Sequence, residues 1–181
     1  MTRALPDQAG YTLPELILGL ALTALLALLA APAMGRVLGR MQLQAAQGSL
    51  MHALNNTRSL AVLRGRRAML CPTRDGRRCS DEHRWEGGWL TGHYRTENAD
   101  QLEGPPRSVH HGHPRLTILS TTGRKRIRYQ TDGSAGGSNV TFTLCRTGQV
   151  DDALTVVVSN AGRAYGAQAS SDQAQQCAAS R

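Results

Sequence analysis

The sequence almost lacks lysine: of 21 basic side chains only Lys125 is one, and the rest are arginines. Aromatic residues are also scarce, at 4%. So few rings leave a modest core, of the kind that leans on disulfides or a packed helix. No glycine-rich phosphate loop followed by Lys-Ser/Thr occurs, and no Ser/His/Asp set stands out by context. The four cysteines do not form two close pairs of the zinc-ribbon kind. His110-His111-Gly112-His113 comes nearest to a metal site, but no carboxylate or cysteine adjoins it and its segment reads as a solvated loop. The chain therefore reads as non-enzymatic, with no cofactor and no metal.

What is present is unevenly spread. A length of 181 residues suits one domain plus an anchor. Residues 1–10, MTRALPDQAG, are polar and end in Gly10; Leu16 to Ala33 then run without a charge. That run approaches the roughly 20 residues needed to cross a bilayer. A secretory signal has a shorter apolar core before a small-x-small site, a shape that Ala30-Ala31-Pro32-Ala33 imitates. The more specific feature is Glu15, a carboxylate at the front of the apolar run. In hydrocarbon it is costly unless paired. Cleavage after Gly10 would free a cationic amine on Tyr11, and that amine could pair with Glu15 of a neighbouring copy.

The stretch Gly10-Tyr11-Thr12-Leu13-Pro14-Glu15-Leu16 resembles the processing motif of type IV prepilins and pseudopilins. The resemblance implies a leader peptide of residues 1–10 removed by a prepilin peptidase, N-methylation of Tyr11 where the family usually has phenylalanine, and a subunit-assembly role for Glu15. It also implies a transmembrane and assembly half-helix over 11–34 and an extracytoplasmic domain over 35–181. The location implied is a single pass in the inner membrane with a periplasmic domain, later assembled into an extracellular pilus. Pro14 falls in the first helical turn, where proline is tolerated, and Pro32 matches a helix-kinking proline of the family.

Beyond the apolar run, Leu43, Ala46, Leu50, Ala53, Leu54, Thr57 and Ala61 recur at three- and four-residue steps. That stripe predicts an amphipathic continuation of the helix, ending at Arg64-Gly65. From Thr12 to Arg64 the helix would measure about 80 Å. Strands are predicted at 68–71, 89–94, 115–120, 126–130, 139–146, 153–159 and 163–167. Residues 97–114 read as a loop, and the tail from Ser170 as mobile unless Cys177 staples it. The fold expected is α+β and type IV pilin-like, a long N-terminal helix packed on an antiparallel sheet formed by a strand meander. Cys71, Cys79, Cys145 and Cys177 permit three disulfide pairings, of which Cys71–Cys79 and Cys145–Cys177 each fall within one compact region.

This half is similar to the FimT/GspH group of minor pilins and pseudopilins. The matches run from Leu54-Asn55-Asn56-Thr57-Arg58-Ser59 and Arg64-Gly65 through Cys71, the Trp85…Gly88-Trp89 pair and Thr141-Phe142-Thr143-Leu144-Cys145 to Gly162-Arg163. The resemblance implies incorporation into a filament of other pilins or pseudopilins. Minor pilins of the FimT side bind DNA during natural transformation through a Gly-Arg-x-Arg motif. Here that stretch reads Gly162-Arg163-Ala164-Tyr165, with tyrosine at the second arginine position. A formal charge of +8 suits a polyanion. The candidate DNA-contacting residues are Arg163, Tyr165, Arg146, Arg124, Lys125, Arg126 and Arg128, of which Arg126 and Arg128 share one strand face. The competing expectation is a GspH-like pseudopilin of a type II secretion system, with an assembly role and no DNA binding.

Overall fold

The computed structural model describes residues 12–180. Gly10 and Tyr11, the predicted cleavage and methylation positions, lie outside the described residues, as do Arg181 and the side chains of residues 29–33. The chain divides into two compact units at Gly39 and Arg40, and one helix, α1 (Leu13–Arg64), contributes to both.

In the first unit α1 opens on Thr12, whose carbonyl accepts the Glu15 and Leu16 N–H groups at 3.1 and 3.2 Å. Pro14 sits in this first turn, where its missing N–H costs nothing. The apolar side chains stand exposed along the helix, from Leu13 at 74% to Leu28 at 74%. The Thr23 hydroxyl donates back to the Gly19 and Leu20 carbonyls. Among the described residues no helix is long and apolar enough to cross a membrane. The side chains of residues 29–33, the end of the expected span, lie outside the described residues, and exposed apolar side chains resume with Met34, Val37 and Leu38.

The second unit is built on the other half of α1. Leu43, Ala46, Leu50, Leu54, Thr57 and Ala61 are fully buried, as the stripe predicts, and Ala53 is half-buried. Burial of each leucine contributes about 2 kcal/mol, so packing holds this half. The helix ends in a left-handed Gly65, with Gly65 N–H donating to Val62 and Arg66 N–H to Ala61, the paired bonds of a Schellman cap.

Eight strands follow: β1 (Ala68–Pro72), β2 (Gly88–His93), β3 (Ser108–His111), β4 (Leu116–Ser120), β5 (Ile127–Tyr129), β6 (Val140–Arg146), β7 (Leu154–Val158) and β8 (Ala164–Gln168). They form two antiparallel sheets, β3-β2-β1-β5 and β4-β6-β7-β8, where one meander was expected. The exchange comes at β5. It returns to β1, setting Ile127 opposite Leu70 and Tyr129 opposite Ala68, and all four are buried in the main core. Trp85 meets Phe142 edge-on in the same core, with ring centroids 5.0 Å apart.

One expectation fails locally. Residues 97–114 are not loop throughout, because β3 adds an edge strand beside β2. Its sequence, Ser108-Val109-His110-His111, shows no apolar alternation because most of it is exposed. The tail is stapled through Cys177, the condition under which order was expected, and Ser171–Ala179 forms α2, started by a reciprocal capping box between Ser170 and Gln173. Ala174 and Cys177 on α2 pack against Cys145 and Ala153. Both disulfides, Cys71–Cys79 and Cys145–Cys177, are formed.

Candidate functional site

Glu15 is exposed in the first turn of α1 among exposed leucines. Among the described residues it has no ion-pair partner. A carboxylate at a helix N-terminus is compatible with the helix dipole.

The candidate basic residues separate into two groups. Arg126 and Arg128 do share one face of sheet β3-β2-β1-β5, as alternation predicts, but that face is occupied. Arg126 donates through Nε to the Asp100 carbonyl at 2.8 Å and pairs with Asp81 at 3.2 Å; its side chain is only 8% exposed. Arg128 donates to the Ala99 carbonyl and pairs with Asp100 at 3.0 Å. Lys125 pairs with Asp81 at 2.8 Å. Arg66 and Arg95 converge on Glu103 at 2.6 and 2.8 Å. Hydrogen bonds from Lys125 and Arg126 hold the Asp81 carboxyl below its ordinary range, and a bond from Arg95 does the same for Glu103.

Arg66, Arg95, Arg126 and Arg128 together clamp residues 97–104 over the outer face of the sheet, while Lys125 holds Asp81. Beneath the loop, Ala99 and Leu102 pack on Met69, Cys71, Cys79, Leu90 and Tyr94, and Gln101 exchanges hydrogen bonds with the Cys79 backbone. Gly92 leaves room for the loop, since a Cβ there would meet Leu102 at 3.2 Å. The acidic partners lie more than 25 residues from Arg126 and Arg128 in sequence, so no local pattern announces the pairing.

The second group is free of carboxylates. The Arg163 and Arg124 side chains make no hydrogen bond or ion pair among the described residues. Arg146 is half-buried, and its Nε lacks a partner. Tyr165 is 52% exposed on β8. Arg163 follows a tight turn in which Gly162 has φ +78°, and a Cβ at Gly162 would lie 2.0 Å from the Gly133 carbonyl. The glycine of the Gly-Arg pair therefore has a steric reason to be there.

The family model for type II transport protein GspH matches residues 46–162, well over half of the chain. The chain belongs to the GspH family. Two crystal structures of the Pseudomonas aeruginosa PAO1 type IV minor pilin FimU share its fold. One has a TM-score of 0.60 at 23% identity, covering 77% of this chain and 96% of FimU; the other has 0.58 at 23%, covering 75% and 99%. No curated protein matches. The expected FimT/GspH-type minor pilin or pseudopilin, with a helix on antiparallel sheets, is thus the observed one.

In this GspH-family chain His110 and His113 pack with Trp89. Trp89 stacks on His110 at 4.0 Å, with His113 tilted beside them. Burial pushes both imidazoles below their ordinary values. No cluster of three metal-ligating side chains occurs among the described residues.

Proposed function

We propose that this GspH-family chain is a minor pilin of a type IV pilus. Residues 1–10 are removed by a prepilin peptidase and the new N-terminus at Tyr11 is methylated. Residues 11–34 hold the subunit in the inner membrane before assembly, with the remaining domain in the periplasm. In the pilus, Glu15 pairs with the Tyr11 amine of a neighbouring pilin. The observation that carries this reading is the first half of α1, a rod of exposed leucines interrupted by one carboxylate. Such a surface calls for lipid or other helices around it. The likeness to FimU, a type IV minor pilin, supports a pilus; the match to type II transport protein GspH supports the secretion pseudopilin reading. Glu15→Ala is expected to leave the domain folded and both disulfides formed while the subunit drops out of purified filaments. Normal incorporation would refute the pairing.

The finer part of the proposal is non-specific DNA binding for uptake. Of the candidate cations, those best placed for phosphate are Arg163 and Arg124, which have no carboxylate partner among the described residues, with Tyr165 beside Arg163 to stack on a base. Lys125, Arg126 and Arg128 reach DNA only at the expense of Asp81 and Asp100. Binding should weaken steeply with salt, and Arg163→Gln should lower the salt slope by about one. Absence of binding at moderate salt would leave the filament subunit alone.

A further inference from the structure

A cleft of about 290 Å³ lies between α2 and the outer face of sheet β4-β6-β7-β8. Strand alternation builds it. On β6, Phe142 and Leu144 join the main core, so Thr141, Thr143 and Cys145 fall on the opposite face. Cys145 is bridged there to Cys177, which brings α2 onto that face. Gln173, Gln176 and Cys177, at three- and four-residue steps, share the side of α2 that lines the cleft. The core that contains the buried stripe of α1 is on the other side of the sheet. The cleft therefore opens away from α1, and association along that helix leaves it uncovered.

The lining is polar without charge. In a chain with 21 basic side chains, none of the residues lining this cleft is basic, and none is acidic. Two of its hydroxyls are already used: Ser120 donates to the Arg124 carbonyl and Thr121 to the Thr141 carbonyl. The hydroxyls of Thr122, Thr141 and Thr143 and the amide of Gln176 make no hydrogen bond among the described residues. Gln173 uses only its side-chain oxygen, which accepts the Ser170 N–H. Thr143 is the most informative of these, because it is 9% exposed and a hydroxyl so buried is ordinarily paired. Leu119 and Cys177 add apolar surface to the same cleft.

We propose that this cleft binds a neutral sugar unit of an oligosaccharide. A sugar hydroxyl both donates and accepts, as do the threonine hydroxyls and glutamine amides that face it. The C–H face of the ring packs on Leu119 and the disulfide. A phosphate or carboxylate would find no cation among the lining residues to offset its loss of water. An extended peptide would need a free strand edge. None is offered here: β6 lies between β4 and β7, and on the outer edge of β4 Trp85 N–H donates to the Ile118 carbonyl while Arg84 bridges Leu119. The volume is near the lower end of ordinary ligand sites, about 300 Å³, and no aromatic ring lines it. Affinity therefore rests on hydrogen bonds, with a dissociation constant of about 1 mM. The proposal does not depend on DNA binding or on the kind of filament.

The full-length chain, in a zwitterionic detergent without a sugar headgroup, is titrated with cellotriose and with triacetylchitotriose to about 10 mM, and binding is read by ligand-observed NMR. At least one of the two is expected to bind. Thr143→Val keeps the shape of the side chain, and Gln176→Ala alters an exposed residue of a helix. Each should weaken binding about three- to tenfold, and the two together by at least about tenfold, as the loss of hydrogen bonds predicts. Gln175→Ala, at an exposed α2 position that does not line the cleft, should leave binding unchanged. Retention of the two native disulfides reports folding in every variant. Binding of neither sugar would overturn the proposal, including the case in which an uncharged glycine-serine hexapeptide binds instead. Unchanged affinity in the double variant, or an equal loss in Gln175→Ala, would overturn it as well.

Discussion

Replacing Cys145 and Cys177 with alanine tests how the C-terminal helix is held. The bridge closes a loop with a sequence separation of 32. Chain-entropy arithmetic, −2.1 − 1.5R ln n, gives about 3.7 kcal/mol for such a loop at 25 °C. The Cys71–Cys79 bridge, with a separation of 8, gives about 2.5 kcal/mol by the same relation. At roughly 3 °C per kcal/mol for a chain of this size, the first loss should lower Tm by about 10 °C and the second by less. The effect should also be local. α2 has nine residues, only Ala174 and Cys177 of them buried, and its capping box contributes about 1 kcal/mol. Without the bridge it should fray while β6 and β7 stay closed. Thermal melts of both double variants, with hydrogen exchange on residues 171–179, supply the assay. Native-like protection of α2 in Cys145→Ala/Cys177→Ala, or a larger Tm loss from the Cys71/Cys79 variant, would refute the reasoning.

Three other outcomes are expected. Arg126→Ala should cost about 1–3 kcal/mol and expose residues 97–104 to proteolysis, because a buried guanidinium is lost from the Asp100 carbonyl; unchanged cleavage would remove the clamp. Gly162→Ala should cost at least about 2 kcal/mol, read as a shift in denaturant midpoint, since it meets the Gly133 carbonyl at positive φ. His110 and His113 are held below their ordinary values, so the unfolded chain takes up protons first. Their contribution is complete above about pH 6.5 and declines as pH falls through the unfolded value toward the folded one. His110→Phe, which keeps a ring on Trp89, should flatten Tm against pH between about 6.5 and 5; an unchanged slope would assign the acid sensitivity elsewhere.

Much of this architecture is legible from local pattern. The buried side of α1 follows from a stripe with helical period, and its end from Arg64-Gly65. The seven predicted strands all exist, because β-branched and apolar runs such as Thr141-Phe142-Thr143-Leu144 face a core. What escaped has a physical cause in each case. β3 is an edge strand with little to bury. α2 buries only two small residues, and its one advance sign was Ser170 followed three positions later by Gln173. The division into two sheets turns on β5, three residues whose partner strand lies far back in the chain. The fate of the 124–128 cations was hidden in the same way: a basic run on a strand looks alike whether phosphate or a distant aspartate faces it.

The continuity of α1 into β1 has a mechanical consequence. Only the cap at Gly65 and two further residues separate the helix from β1, which lies inside its sheet with β2 on one side and β5 on the other. Tension along the C-terminal half of the helix enters the domain first through the packing of Leu43, Leu50 and Leu54 and only then, past Gly65, through β1. Pulled lengthwise, β1 loads its ladders to both neighbours in shear, so their hydrogen bonds share the force instead of breaking one after another. At the far end of the strand, the bridge from Cys71 to Cys79 limits how much chain can pay out. A strand paired on both sides and bridged at its far end is a firm attachment for the helix that precedes it.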